Sequence, residues 1–240
     1  MMQIISSRQN PFLLATLAAL VIGCGSPPPS STPPAAPPAV PVVDVAAAAR
    51  IVVLGDSLAA GLGLAEAEAF PAVAESLLRT EGFDVDIINA GVSGDTTAGG
   101  LSRIAWVLQQ PAEILVVELG GNDALRGQPL ENTEKNLREI VRRGRESGAE
   151  VVLLGMDVPT NYGPDYASAF AEIYPRIAEE EGALLVPGFV RELGADPTLL
   201  QPDGLHPTTE GQRRLARTLH PFLLEVLEAR GPAISQSEPL

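Results

Sequence analysis

Cysteine is almost absent from this 240-residue chain, occurring only at Cys24. A domain lying beyond that position cannot depend on a disulfide, build a thiolate metal site or use a cysteine nucleophile. Basic side chains are scarce as well, 16 Lys and Arg against 30 Asp and Glu, for a formal charge of −14. Such a field repels phosphate backbones and disfavours anionic bilayer surfaces, and with no basic cluster present it excludes nucleic-acid binding. Histidine occurs twice, at His206 and His220, which narrows the choice of a general base. The apolar run near the N-terminus, Pro11 to Ile22, has 12 residues, short of the roughly 20 that span a bilayer.

What is present divides near residue 49. Residues 1 to 49 carry only Arg8 and Asp44, so the whole negative charge belongs to the remainder, with 15 basic and 29 acidic side chains. Residues 1–23, with one early positive charge and the Pro11–Ile22 run, read as a signal peptide. Val21-Ile22-Gly23-Cys24 resembles the bacterial lipobox, so Cys24 is the expected lipidation site, and residue 25 is Gly and not an inner-membrane-retaining Asp. An ordinary secretory signal is the alternative. Residues 24–49 form the lipidated Cys and a Pro/Ala-rich linker holding 8 of the 22 prolines, a composition that favours extended, semi-rigid chain. Residues 50–230 are the expected single domain, long enough to bury one core, and residues 231–240 a flexible tail.

From Arg50 onward, short β-branched runs alternate with amphipathic stretches. Strands are expected at Ile51 to Leu54, Val85 to Ile88, Ile114 to Leu119, Val151 to Leu154 and Leu184 to Val186, nearly uniformly apolar, as strands covered on both faces must be. Helices are expected at Ala65 to Glu81, Thr97 to Gln109, Asn132 to Ser147, Tyr166 to Glu181 and Thr208 to Ala229. This alternation predicts an α/β fold of three layers, α/β/α, with a five-stranded parallel sheet in the flavodoxin-like order 2-1-3-4-5. Ligands then sit beyond the carboxyl ends of the strands, and the chemistry is to be sought in the segments that follow them.

Those segments are Gly55-Asp56-Ser57-Leu58 after the first strand, Asn89 to Thr97 after the second, Gly120-Gly121-Asn122-Asp123 after the third and, some 17 residues beyond the fifth, Asp203-Gly204-Leu205-His206. None is a phosphate loop: Gly55 to Gly61 has the wrong spacing and no Lys, and Gly61-Leu62-Gly63 lacks a third glycine. The Gly-x-Ser-x-Gly elbow fails as well, because Ala59 stands where the second Gly belongs. A serine nucleophile with a histidine base and an orienting carboxylate fits. Ser57 supplies the hydroxyl, and His206 lies three residues after Asp203 in a turn that lets the carboxylate fix the imidazole tautomer. His220, in the last helix, is expected to be a helix-face residue. Oxyanion donors are expected from the Ser57 N–H, the Gly91 N–H and the Asn122 amide. Each piece alone also reads as a turn or a helix cap; their occurrence together, each after a strand, favours the catalytic reading.

The four blocks resemble those of the SGNH (GDSL) hydrolases, and Asn89 to Thr96, Val117 to Gly127 and Pro159 to Gly163 resemble the secreted bacterial arylesterase, thioesterase I and lysophospholipase branch. The resemblance spans about residues 50 to 228. It implies Ser57 as nucleophile, His206 as base and then acid, Asp203 as orienting carboxylate, and Ser57, Gly91 and Asn122 as the oxyanion hole, with no cofactor and no metal. Asp56, Asp95 and Asp123 are expected to be structural.

After the fourth strand, Val158, Pro159 and Tyr162 are expected either to wall an acyl groove or to form a rigid loop with buried apolar residues. The charge favours uncharged aryl and alkyl esters or zwitterionic lysophospholipids over coenzyme A thioesters. A carbohydrate O-deacetylase and a non-catalytic tethered binding module are the alternatives. The expected partners are a small-molecule ester and, through the anchor, a membrane, with no nucleic acid and no protein partner implied; the expected place is the cell envelope, on the periplasmic face of the outer membrane.

Overall fold

The structure, a computed structural model, describes residues 48–158 and 160–230. The expected signal peptide, Cys24, the linker up to residue 47, Pro159 and the tail lie outside the described residues.

Five strands, β1 (Ala49–Gly55), β2 (Val85–Gly91), β3 (Ile114–Glu118), β4 (Glu150–Leu154) and β5 (Leu184–Val186), form one parallel sheet in the order β2-β1-β3-β4-β5. The three central strands are the apolar ones. Every residue of β3 is buried, as are Ile51 to Gly55 of β1 and Val151 to Leu154 of β4. Each fully buried Val, Ile or Leu contributes about 1.5–3 kcal/mol of transfer free energy, so the centre of the sheet carries much of the core. β2 is an edge strand, with Asp86 exposed and Ile87 to Gly91 half-buried.

Right-handed crossovers place the long helices on both faces. On one face α2 (Phe70–Thr80) packs against α9 (Thr209–Arg230); on the other α3 (Thr97–Val107), α5 (Leu130–Glu146) and α7 (Ile173–Glu181) lie side by side. Short helices α1 (Ser57–Ala60), α4 (Gly121–Leu125), α6 (Pro164–Ala171) and α8 (Arg191–Ala195) occupy the loops.

Two expected helices are divided. Ala65 to Glu81 contains a 3₁₀ turn at Glu66–Glu68 before α2 begins at Phe70, because Pro71 suits the first turn of a helix and not its interior. Tyr166 to Glu181 becomes α6 and α7, joined at Glu172. Pro175 has no N–H to give the Ala171 carbonyl, and the helix breaks where that bond would fall. Among the described residues no helix is long and apolar enough to cross a membrane.

Candidate active site

Ser57 is the first residue of α1, directly past the carboxyl end of β1, and is 8% exposed. Asp56 caps this short helix, its Oδ1 accepting the Leu58 N–H at 2.9 Å. His206 arrives from the loop before α9 and places Nε2 3.0 Å from Ser57 Oγ. On its other side, Nδ1 lies 2.7 Å from Asp203 Oδ2. With the ring proton on Nδ1, the imidazole donates to the carboxylate and keeps Nε2 free to accept the serine proton.

The Asp203 turn closes on itself. Its Oδ1 accepts the backbone N–H groups of Leu205 and His206 at 2.9 and 3.0 Å. The bond from the His206 ring, followed by those two N–H groups, lowers the Asp203 pKa to about 2 although the carboxylate is half exposed. Asp203 therefore stays ionised throughout the neutral range and holds the tautomer that leaves Nε2 free to accept a proton. His220, as expected, belongs elsewhere: it projects from α9 with Nε2 3.3 Å from Glu81 Oε1.

Asn122, at the start of α4, donates one amide hydrogen to Asp56 Oδ2 at 2.9 Å. The second hydrogen of that NH₂ remains available to the space above Ser57.

Gly91 requires a correction. Its N–H donates to Asn89 Oδ1 at 3.0 Å, and the residue does not line the cavity at Ser57. Strand β2 runs on to Gly91, where α1 presses against it: a Cβ there would lie 2.5 Å from Ala60 N and 2.9 Å from Asp56 O. Its glycine identity therefore reflects packing. The glycine of this segment that does line the cavity is Gly94, three residues on, held at φ 81°, and among the described residues its N–H finds no protein acceptor. Two arginines brace its loop. Arg126 donates to the Gly94 carbonyl at 2.8 Å; Arg103 pairs with Asp95 at 2.7 Å and also donates to the carbonyls of Ala90 and Gly55. Asp123 fixes the start of α3 by accepting from Thr97 N and Oγ1 at 2.8 and 2.6 Å. Asp95 and Asp123 thus hold loops, as expected.

Ser57, Asn122 and His206 open on a cavity of about 660 Å³, within the roughly 300–1,000 Å³ typical of small-molecule sites. Its apolar lining comes from four loops and includes Leu62, Leu125, Met156, Val158, Leu193 and Leu205. Of the two expected acyl-groove residues that are described, Val158 lines it and Tyr162 does not. Tyr162 instead stacks on Tyr166, ring centroids 6.5 Å apart and planes at 28°, outside the cavity lining. The leucines were missed because an apolar residue in a loop carries no periodic signal; their one trace is that each follows a strand's carboxyl end. Among the described residues no group of three or more His, Cys, Asp or Glu converges as metal ligands.

Comparison with known proteins points to one family. The model of the GDSL-like Lipase/Acylhydrolase family matches residues 53–214. The chain is 40% identical over 183 residues to "Esterase TesA" of Pseudomonas aeruginosa, covering 76% of this chain and 91% of that protein. It is 39% identical over 173 residues to "Thioesterase 1/protease 1/lysophospholipase L1" of Escherichia coli K12, covering 71% and 81% respectively. A crystal structure of TesA superposes with a TM-score of 0.72 at 40% identity, covering 74% of this chain and 99% of the other.

Proposed function

The chain belongs to the GDSL-like lipase/acylhydrolase family and is a carboxylic ester hydrolase, and from that premise we propose that Ser57, His206 and Asp203 form its catalytic triad. The observation that carries this reading is the unbroken line from Asp203 Oδ2 through the His206 ring to Ser57 Oγ, with bonds of 2.7 and 3.0 Å, at the mouth of an apolar cavity. Ser57 Oγ attacks the ester carbonyl carbon while its proton passes to His206 Nε2. The carbonyl oxygen becomes an oxyanion facing the Ser57 N–H, the Gly94 N–H and the free hydrogen of Asn122 Nδ2. As the carbon–oxygen bond breaks, His206 returns the proton to the leaving alkoxide, and water then repeats the sequence on the acyl-enzyme.

The preferred substrates are uncharged aryl and alkyl esters, followed by zwitterionic lysophospholipids. A chain of formal charge −14 repels the polyanionic coenzyme A moiety, and the apolar cavity suits acyl groups longer than acetyl. A panel of p-nitrophenyl esters and acyl thioesters from two to sixteen carbons tests this. The expected outcome is activity on neutral esters above that on acyl-CoA at low salt, with Val158→Phe shifting the chain-length optimum downward. Equal activity on acyl-CoA, or an unshifted optimum in the variant, overturns the assignment of charge or of Val158. Activity confined to acetyl esters selects the O-deacetylase.

The proposal retains Cys24 as a lipidation site that tethers the enzyme in the cell envelope, on the periplasmic face of the outer membrane. Cys24→Ser is expected to move the full chain from the membrane fraction to the soluble one; a variant that stays in the membrane fraction removes the anchor from the account.

A further inference from the structure

One buried carboxyl lies outside the mechanism above. Glu118 is the last residue of β3, in a strand buried throughout, and is itself 0% exposed. Its Oε2 accepts two backbone N–H groups of the nucleophile turn, from Asp56 at 3.0 Å and Ala59 at 3.3 Å. Its Oε1 is fully buried and, among the described residues, receives no hydrogen bond. Beside it stands the Asp56 carboxyl, 3% exposed, on the residue whose own N–H bonds Glu118 Oε2, so that each charge acts on the other. Both Asp56 oxygens already accept, Oδ1 from Leu58 N–H and Oδ2 from Asn122 Nδ2.

We propose that Glu118 is a positioning residue that acts as a neutral carboxylic acid, donating its proton to Asp56 so that Asp56 stays an ionised acceptor and aims Asn122 at the oxyanion. Two ionised carboxylates in contact away from water are strongly unfavourable, so the pair holds one proton and one negative charge. The assignment of that proton follows from the donors each carboxyl receives. Asp56 accepts from a side-chain amide and a backbone N–H and is the natural anion; Glu118 has one oxygen that needs a hydrogen to be satisfied at all. Burial pushes the Glu118 pKa well above the ordinary carboxylate range, with the neighbouring Asp56 charge adding to it. Burial also raises Asp56, against the lowering bonds from Leu58 and Asn122. The other titratable groups facing the pair are His206, which stabilises the Asp56 charge, and the buried Tyr174, whose hydroxyl donates to the Leu119 carbonyl.

A chain of hydrogen bonds thus runs from Glu118 through Asp56 to Asn122, and the same carboxyl of Glu118 pins the turn that carries Ser57. The inference rests on the proposed oxyanion role of Asn122, and its test has one arm that does not. Infrared difference spectra of wild type minus Glu118→Gln at neutral pH are expected to show the carbonyl stretch of a buried protonated carboxylic acid, a signal independent of catalysis. Kinetically, Gln reproduces both the acceptor and the donor of the neutral acid, so Glu118→Gln is expected to keep most of kcat. Glu118→Ala is expected to lower kcat about 10²-fold with KM little changed, as when an oxyanion donor is lost. In an Asn122→Ala background Glu118→Ala is expected to cost clearly less kcat than in the parent, because Glu118 acts in part through Asn122, the remaining loss coming from the two N–H groups of the Ser57 turn. Absence of the protonated-acid band, a Gln variant as impaired as the Ala variant, or additive losses in the double variant overturns the proposal. If the band is present while Asn122→Ala is fully active, the neutral acid stands and the oxyanion assignment falls.

Discussion

Ser57→Ala lowers kcat for p-nitrophenyl ester hydrolysis by about 10⁴-fold or more, with KM close to that of the parent. The size of the loss follows from what alanine cannot do. Water must replace a nucleophile held 3.0 Å from its base, and the acyl-enzyme that divides one difficult step into two is no longer available. Binding should survive, because the apolar walls that hold the acyl chain are untouched and position 57 is a small, nearly buried contact at the mouth. The fold should survive as well: Ser57 Oγ bonds only to His206 among the described residues, and Ala is a better helix former than Ser at the start of α1. Steady-state kinetics together with a thermal melt measure both halves of this expectation. A variant of unchanged rate removes Ser57 from the mechanism.

Asn122→Ala is expected to lower kcat by about 10²–10³-fold, again with little change in KM. The Asn122 amide donates one hydrogen to Asp56; in the proposed mechanism the other meets an oxygen that becomes negative only as the carbonyl is attacked, so its contribution would belong to the transition state and not to ground-state binding. Asn122→Asp should be no better, since an acceptor would then face both Asp56 and the oxyanion. A rise in KM with kcat unchanged would instead show that Asn122 binds substrate without favouring the transition state.

How well these residues could be read in advance depended on how local their partners are. Asp203 and His206 are three apart in one turn, and the turn alone brings Nδ1 to Oδ2; the sequence pattern suffices there. The parallel sheet was equally legible, because the centres of β1, β3 and β4 are apolar and the helices between them demand right-handed crossovers; its order is the one that suits five strands in a domain of this size. Gly91 shows where the reading fails. With the second strand expected to stop at Ile88, Gly91 falls in the loop, where its N–H would be free to donate. The strand continues to Gly91 because Asn89 and Ala90 pair with Val53 and Leu54 of β1, so the free donor lies further along, at Gly94. Strand ends are decided by the neighbouring strand, which no local pattern records.

Glu118 was hidden for a related reason. It sits at the end of an apolar run and was absorbed into a strand described as nearly uniformly hydrophobic. What allows a carboxyl there is a pair of N–H groups from α1 and its cap, Ala59 and Asp56, some sixty residues earlier in the chain. Tyr162 failed in the opposite direction: an aromatic residue in the right loop turned away to stack on Tyr166.

The most direct test of the central claim, that Ser57 is the nucleophile of an ester hydrolase, is covalent trapping. A p-nitrophenyl alkylphosphonate offers phosphorus in place of the carbonyl carbon; Ser57 Oγ displaces p-nitrophenolate, and the stable adduct mimics the tetrahedral intermediate. Intact-mass and peptide mass spectrometry should find one phosphonyl group per chain, on the peptide containing Ser57, formed in step with loss of activity and absent from Ser57→Ala. Full inactivation with the label on any other residue, or no label while the reagent is hydrolysed, would contradict the account.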